Sequence, residues 1–117
     1  MKKSQRNGYN VAAITAIGVG SIRILPGGIT SGRVFWLRSL VLTNEHATDQ
    51  GIVELWDEAE AVTPAAANQR GAFVVPANDT LVLEFAAPGI SFATDVTATA
   101  SAGTFSAYSQ LVSGFEE

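Results

Sequence analysis

Cysteine is absent from this 117-residue chain, so disulfides, zinc–thiolate sites and thiol nucleophiles are excluded. Histidine occurs once, at His46. No single chain of this sequence can build a metal site from several imidazoles, and any Ser-His-Asp arrangement would have to use that residue. Charged residues make up only 15% of the chain while apolar ones reach 47%. That balance is the reverse of the high-charge, low-hydropathy composition of disordered chains. A domain of this length buries roughly two-thirds of its unfolded surface, enough for a core without metals or cross-links. Long apolar runs are missing too. The longest near the start, Val11 to Gly20, follows Lys2, Lys3 and Arg6 and has the outline of a secretory signal. It is half the roughly 20 residues of a membrane span. We read it as retained in the mature chain: an N-terminal arm, then a strand.

Acidic residues are absent from residues 1–44, which carry Lys2, Lys3, Arg6, Arg23, Arg33 and Arg38. Residues 45–117 hold all eleven acids and one base, Arg70, a balance of +6 against −10. Six cations over 44 residues are too sparse for a phosphate-binding patch, and no aromatic ladder interleaves them, so no nucleic-acid partner is expected. Two readings of the split remain. Basic strands lie beside acidic ones in one sheet, or opposite patches bring copies together head to tail.

The apolar pattern that is present has period two. Leu81, Leu83 and Phe85 alternate with Val82, Glu84 and Ala86, and Val53 and Leu55 alternate with Ile52, Glu54 and Trp56. The stretch Val34 to Thr43 is apolar on both faces, which predicts a central strand covered on both sides with a bulge at Arg38-Ser39. Turn chemistry recurs at Pro26-Gly27-Gly28, Asn44 to Gly51, Pro76 to Asp79, Pro88-Gly89 and Ala102-Gly103. Strands are predicted near 11–17, 21–25, 33–43, 51–57, 70–75, 80–86, 90–92, 95–100 and 104–112. Glu54 to Asn68, the one segment with helix-forming composition, reads as a long surface loop with one helical turn, broken at Pro64. The expectation is an all-β fold: a single jelly-roll-like sandwich of about eight short antiparallel strands over 11–117, with an extended arm at 1–10.

No catalytic, cofactor or metal residues emerge. Asp57, Glu58 and Glu60 are the best metal candidates, yet they lack the offsets and the glycine of a calcium loop and read as solvated. Glu54 and Glu84 could form a glycosidase pair only across a cleft, and each lies opposite its strand's apolar set. His46 with Asp49 sits in a polar loop without a nucleophile elbow, so it reads as an exposed loop histidine. Trp36 and Trp56 are core residues or interface anchors, and a sugar-stacking role has no supporting cluster of Asn, Asp and Arg in the sequence around them.

A resemblance appears in the stretches Gly20 to Ile29, Leu37 to Asn44, Gly51 to Asp57 and Pro88 to Phe92, followed by Thr97 to Tyr108. Together they resemble small virion proteins of tailed bacteriophages, in which a jelly roll or related sandwich carries this order of strands and turns. The resemblance implies a structural protein: a head decoration or cement protein on the capsid exterior, made in the host cytoplasm. The major capsid protein would be its partner, in a homo-oligomer such as a trimer, without a membrane. A tail, neck or baseplate component is the alternative within the virion, and a carbohydrate-binding module the alternative outside it. In this reading the arm makes the contact, with Lys2, Lys3 and Arg6 meeting acidic surface and Val11 and Ile14 adding a strand to a neighbour's sheet.

Overall fold

Period-two alternation with turn residues between runs produces regular structure that is, among the described residues, almost wholly strand. The structure, a computed structural model, describes residues 4–12, 22–25, 27–102 and 108–117. Of these, 4, 6–12, 101–102 and 108–112 are described by backbone path and pairing. The strands are β1 (Ser4–Ala12), β2 (Ile22–Arg23), β3 (Phe35–Asn44), β4 (Gly51–Trp56), β5 (Gln69–Val75), β6 (Asp79–Glu84), β7 (Ile90–Phe92), β8 (Thr97–Ala102) and β9 (Tyr108–Glu116). The predicted helical turn in the 57–68 loop is a 3₁₀ turn at Ala66–Asn68.

One sheet has the order β1-β9-β3-β6, with β7 also on β3, and the other has the order β2-β8-β4-β5. All pairs are antiparallel. β6 pairs with Ser39 to Asn44 of β3 and β7 with Phe35 to Leu37, so the two serve as one interrupted strand. The pairs β4 with β5, β3 with β6, β2 with β8 and β1 with β9 are therefore nested inside one another. They form one long hairpin folded across two sheets. That is the jelly roll, an all-β sandwich.

Phe35, Leu37, Leu40 and Leu42 of β3 point inward, as do Val53 and Leu55 of β4 and Val75 of β5. The opposing β8 contributes small residues, Ala98 and Ala100, which give the larger side chains room. Fully burying a Leu or Phe stabilises the fold by about 1.5–3 kcal/mol each. Leu37 and Leu40 are three apart, a spacing that alternation alone would send to opposite faces. The register shift between Leu37 and Ser39, at the predicted bulge, lets both face the core. Two glycines allow the backbone to crowd there. A Cβ on Gly114 would lie 2.1 Å from the Trp36 carbonyl oxygen, and one on Gly89, at φ +107°, would lie 2.3 Å from that of Leu37.

Two expectations change. β3 is central, but only its inner face is fully covered; its outer residues are half-buried. Residues 4–10 of the expected arm belong to β1, which runs through the boundary at residue 10 and pairs with the chain's own β9 from Ser4↔Glu116 to Ala12↔Tyr108. No helix among the described residues is long and apolar enough to cross a membrane.

Candidate functional site

Two polar regions stand out, one at a loop end of the sandwich and one on a sheet face. The loop end is organised by Asp57, which directly follows β4 and is 8% exposed. Its carboxylate accepts the backbone N–H groups of Ala93 at 3.1 Å, Thr94 at 2.7 Å and Asp95 at 3.3 Å, and Arg70 Nη2 at 3.3 Å. It thus caps the turn between β7 and β8, where the backbone has no strand partner. Asp95, also buried, accepts Arg23 Nε at 2.7 Å and the Val96 N–H at 2.8 Å. That hydrogen bond, with the charge of Asp95 behind it, raises the Arg23 pKa above its ordinary value. Glu60 adds a 3.7 Å contact to Arg23. Glu58 accepts the Ala65 N–H at 2.9 Å, which holds its carboxyl below the ordinary range. Thr97 Oγ1 donates to the carbonyls of Trp56 and Glu58.

Of the acidic cluster, Glu60 is exposed as the sequence suggested and Glu58 is half-buried, but Asp57 departs from that expectation. Asp57 is buried and acts as a structural cap. Among the described residues no group of three or more His, Cys, Asp or Glu is placed to hold a metal ion. Glu54 and Glu84 sit on the outer faces of different sheets, so they do not face each other. His46 is half-buried, and its Nδ1 accepts the N–H groups of Asp49 at 3.0 Å and Thr48 at 3.3 Å. Asn44, fully buried, accepts the His46 N–H and donates to the Asp49 and Val75 carbonyls. The imidazole and the Asn44 amide together hold the 45–50 loop.

The second region is the outer face of the β1-β9-β3-β6 sheet. Trp36 and Phe115 are directly opposite across β3 and β9, both half-buried. Toward the other end of the face, Val41 opposes Val82, which is 65% exposed, and the backbones of Leu111 and Tyr9 continue that register row. Between them Ser39 and Ser113 share a short hydroxyl–hydroxyl hydrogen bond. Three adjoining depressions run along the Trp36 half. One of about 540 Å³ is lined by Arg38, Ser39 and Glu84 to Ala86. A second of about 490 Å³ shares Arg38 with it and adds Trp36, Phe115, Pro88 and Glu117. A third of about 360 Å³ shares Trp36 and Glu117 and reaches Gly32 and Val34.

Several polar groups here have no partner among the described residues. Arg38 Nε donates to the Phe85 carbonyl at 3.1 Å, but no described residue meets its Nη atoms or the carboxylates of Glu84 and Glu117. The Trp36 indole N–H is shielded from solvent and has no acceptor among the described residues, which costs about 1–3 kcal/mol. Trp56 is the opposite case: 8% exposed, its Nε1 donating to Thr99 Oγ1 at 2.8 Å.

Of the arm residues expected to make contacts, Lys2, Lys3 and Ile14 lie outside the described residues. Arg6 and Val11 sit in β1 opposite Gly114 and Ser109, with side chains outside the description. The sequence singled out Trp36, and weighed Glu84 only as a partner for Glu54, but missed Arg38, Phe115 and Glu117 as site residues. No local signal marks them, because the register of β9 on β3 is what brings them together. No family model, curated protein or solved structure matches this chain.

Proposed function

We propose that this chain is a structural protein of a tailed-phage particle, a decoration or cement protein on the head exterior that stabilises it by subunit contacts. Its partners are the major capsid protein and further copies of itself. The observation that supports the reading is outward apolar surface on both sheets, Val41 opposite Val82 on one and Ile52 opposite Val74 on the other. Apolar surface of this kind is suited to packing, while the buried acids at the loop end are bonded to the chain itself rather than aimed into a cleft. A standard interface buries about 800 Å² per partner. Repetition over many copies raises avidity without new chemistry.

Quantitative mass spectrometry of purified particles tests it. Copies per major shell subunit near one, or a simple fraction of it, are expected. A handful per particle moves the role to tail, neck or baseplate, and absence from particles overturns the reading. Val82→Asp should leave the isolated domain folded and lower occupancy.

A further inference from the structure

We infer that the trough along Trp36 on the β1-β9-β3-β6 sheet binds a neutral oligosaccharide. The site goes beyond the particle role and does not depend on it. Three neighbouring depressions, the first two both lined by Arg38 and the last two by Trp36 and Glu117, suit a chain-like ligand better than a compact cofactor. The charge is mixed. Two carboxylates, Glu84 and Glu117, oppose a polyanion such as nucleic acid, and Arg38 opposes a polycation. What suits both signs at once is a ligand whose every polar group is donor and acceptor together. Vicinal hydroxyls have that property: a carboxylate accepts from two, and a guanidinium donates to two.

The apolar half of the trough completes the match. Trp36, Phe115 and Pro88 offer ring surface beside those charges, and a pyranose presents C–H faces bounded by hydroxyl edges. An added peptide strand is disfavoured, because the trough lies on a sheet face. β3 is already paired on both sides, with β9 on one and β6 and β7 on the other, so its N–H and C=O groups are used. The solvent-shielded indole N–H of Trp36 supplies the mechanism of engagement. On binding, the ring turns so that this donor meets a sugar oxygen. The hydrogen bond exists only in the complex, so it favours binding without weakening the unbound fold further.

The test titrates the isolated chain with cello-, xylo-, manno-, malto- and chitohexaose, read by calorimetry and tryptophan emission. One-to-one binding to at least one of them is expected, at roughly micromolar to millimolar Kd, with a change in emission. Trp36→Phe should remove the emission change, since Trp56 is held by Thr99, and weaken binding about tenfold, the size expected for one net hydrogen bond. Glu84→Gln, on an exposed edge-strand position, should fold normally and weaken binding severalfold, so the test survives if the tryptophan variant does not fold. Three results overturn the proposal: no binding by any hexasaccharide at millimolar concentration, binding undiminished in both variants, or self-association of the chain that Trp36→Phe abolishes.

Discussion

The loop end around Asp57 and the sheet face around Trp36 contain similar residue types, each with arginine, carboxylates and a tryptophan, yet their bonding differs. At the loop end one carboxylate satisfies three backbone N–H groups and an arginine, a second holds Arg23, and the Trp56 indole bonds Thr99. On the sheet face two carboxylates, the Nη atoms of Arg38 and the Trp36 indole have no partner among the described residues. Buried polar groups in a fully satisfied network fix a structure. Groups left unsatisfied beside a trough add little to the fold and are open to a ligand. Function is thus to be sought where polar groups lack partners, and the densest charge cluster is the wrong place to look.

That contrast can be broken by mutation. The largest effect is expected from Asp57→Ala, which leaves the backbone donors of the 93–95 turn and Arg70 Nη2 without an acceptor. Unfolding in urea should show a loss of about 3–5 kcal/mol, and a loss under about 1 kcal/mol would mean that the loop end is not held as described. Gly114→Ala comes next. Its Cβ cannot fit against the Trp36 carbonyl, and the strand shift should cost about 3 kcal/mol, seen as a lower melting temperature. The two tryptophans then give opposite signs. Trp56→Phe loses a satisfied hydrogen bond and should cost about 1 kcal/mol, whereas Trp36→Phe deletes an orphan donor and should leave stability unchanged or raise it by up to about 1 kcal/mol. Equal losses from both would erase the distinction.

The smallest effect concerns pH. The Glu58 carboxyl is lowered chiefly by the Ala65 N–H. A carboxyl with a depressed folded value stabilises above its unfolded pKa, ordinarily 4.5, and loses that contribution as pH falls through the folded one. An NMR titration should therefore place the Glu58 midpoint below 4.5, with the Ala65 amide shift following it. A midpoint at or above the ordinary value would remove that contact.

The strands were largely legible in the sequence, because alternation and turn residues are local signals. The predictions at 51–57, 70–75 and 90–92 lie within a residue or two of β4, β5 and β7. The first and last strands extend past the predicted 11–17 and 104–112 for a common reason. Ser4 to Asn10 and Ser113 to Glu116 are too polar to announce themselves, and they form strands by pairing with each other across almost the whole chain. Of the predicted spans, 13–17 and 104–107 lie outside the described residues. The site was less legible still. Trp36 was visible as a large aromatic, but its neighbours Phe115 and Glu84 come from strands whose register no short window contains. Asp57 looked solvated because its partners at 93–95 are likewise remote in sequence.

The nested pairing also has a kinetic consequence. β4 and β5 are separated only by the 57–68 loop, so they can meet early, while β1 and β9 span nearly the whole chain. Each inner pair that forms shortens the loop the next pair must close, and the entropy of closure grows with the logarithm of loop length. The chain should therefore zip from its middle outward, β3 on β6 following β4 on β5, with the two termini joining last. Transition-state φ-values should be highest at Val53 and Leu55 and lowest in β1, so the strand at the chain's beginning is the last to commit and the first to be released.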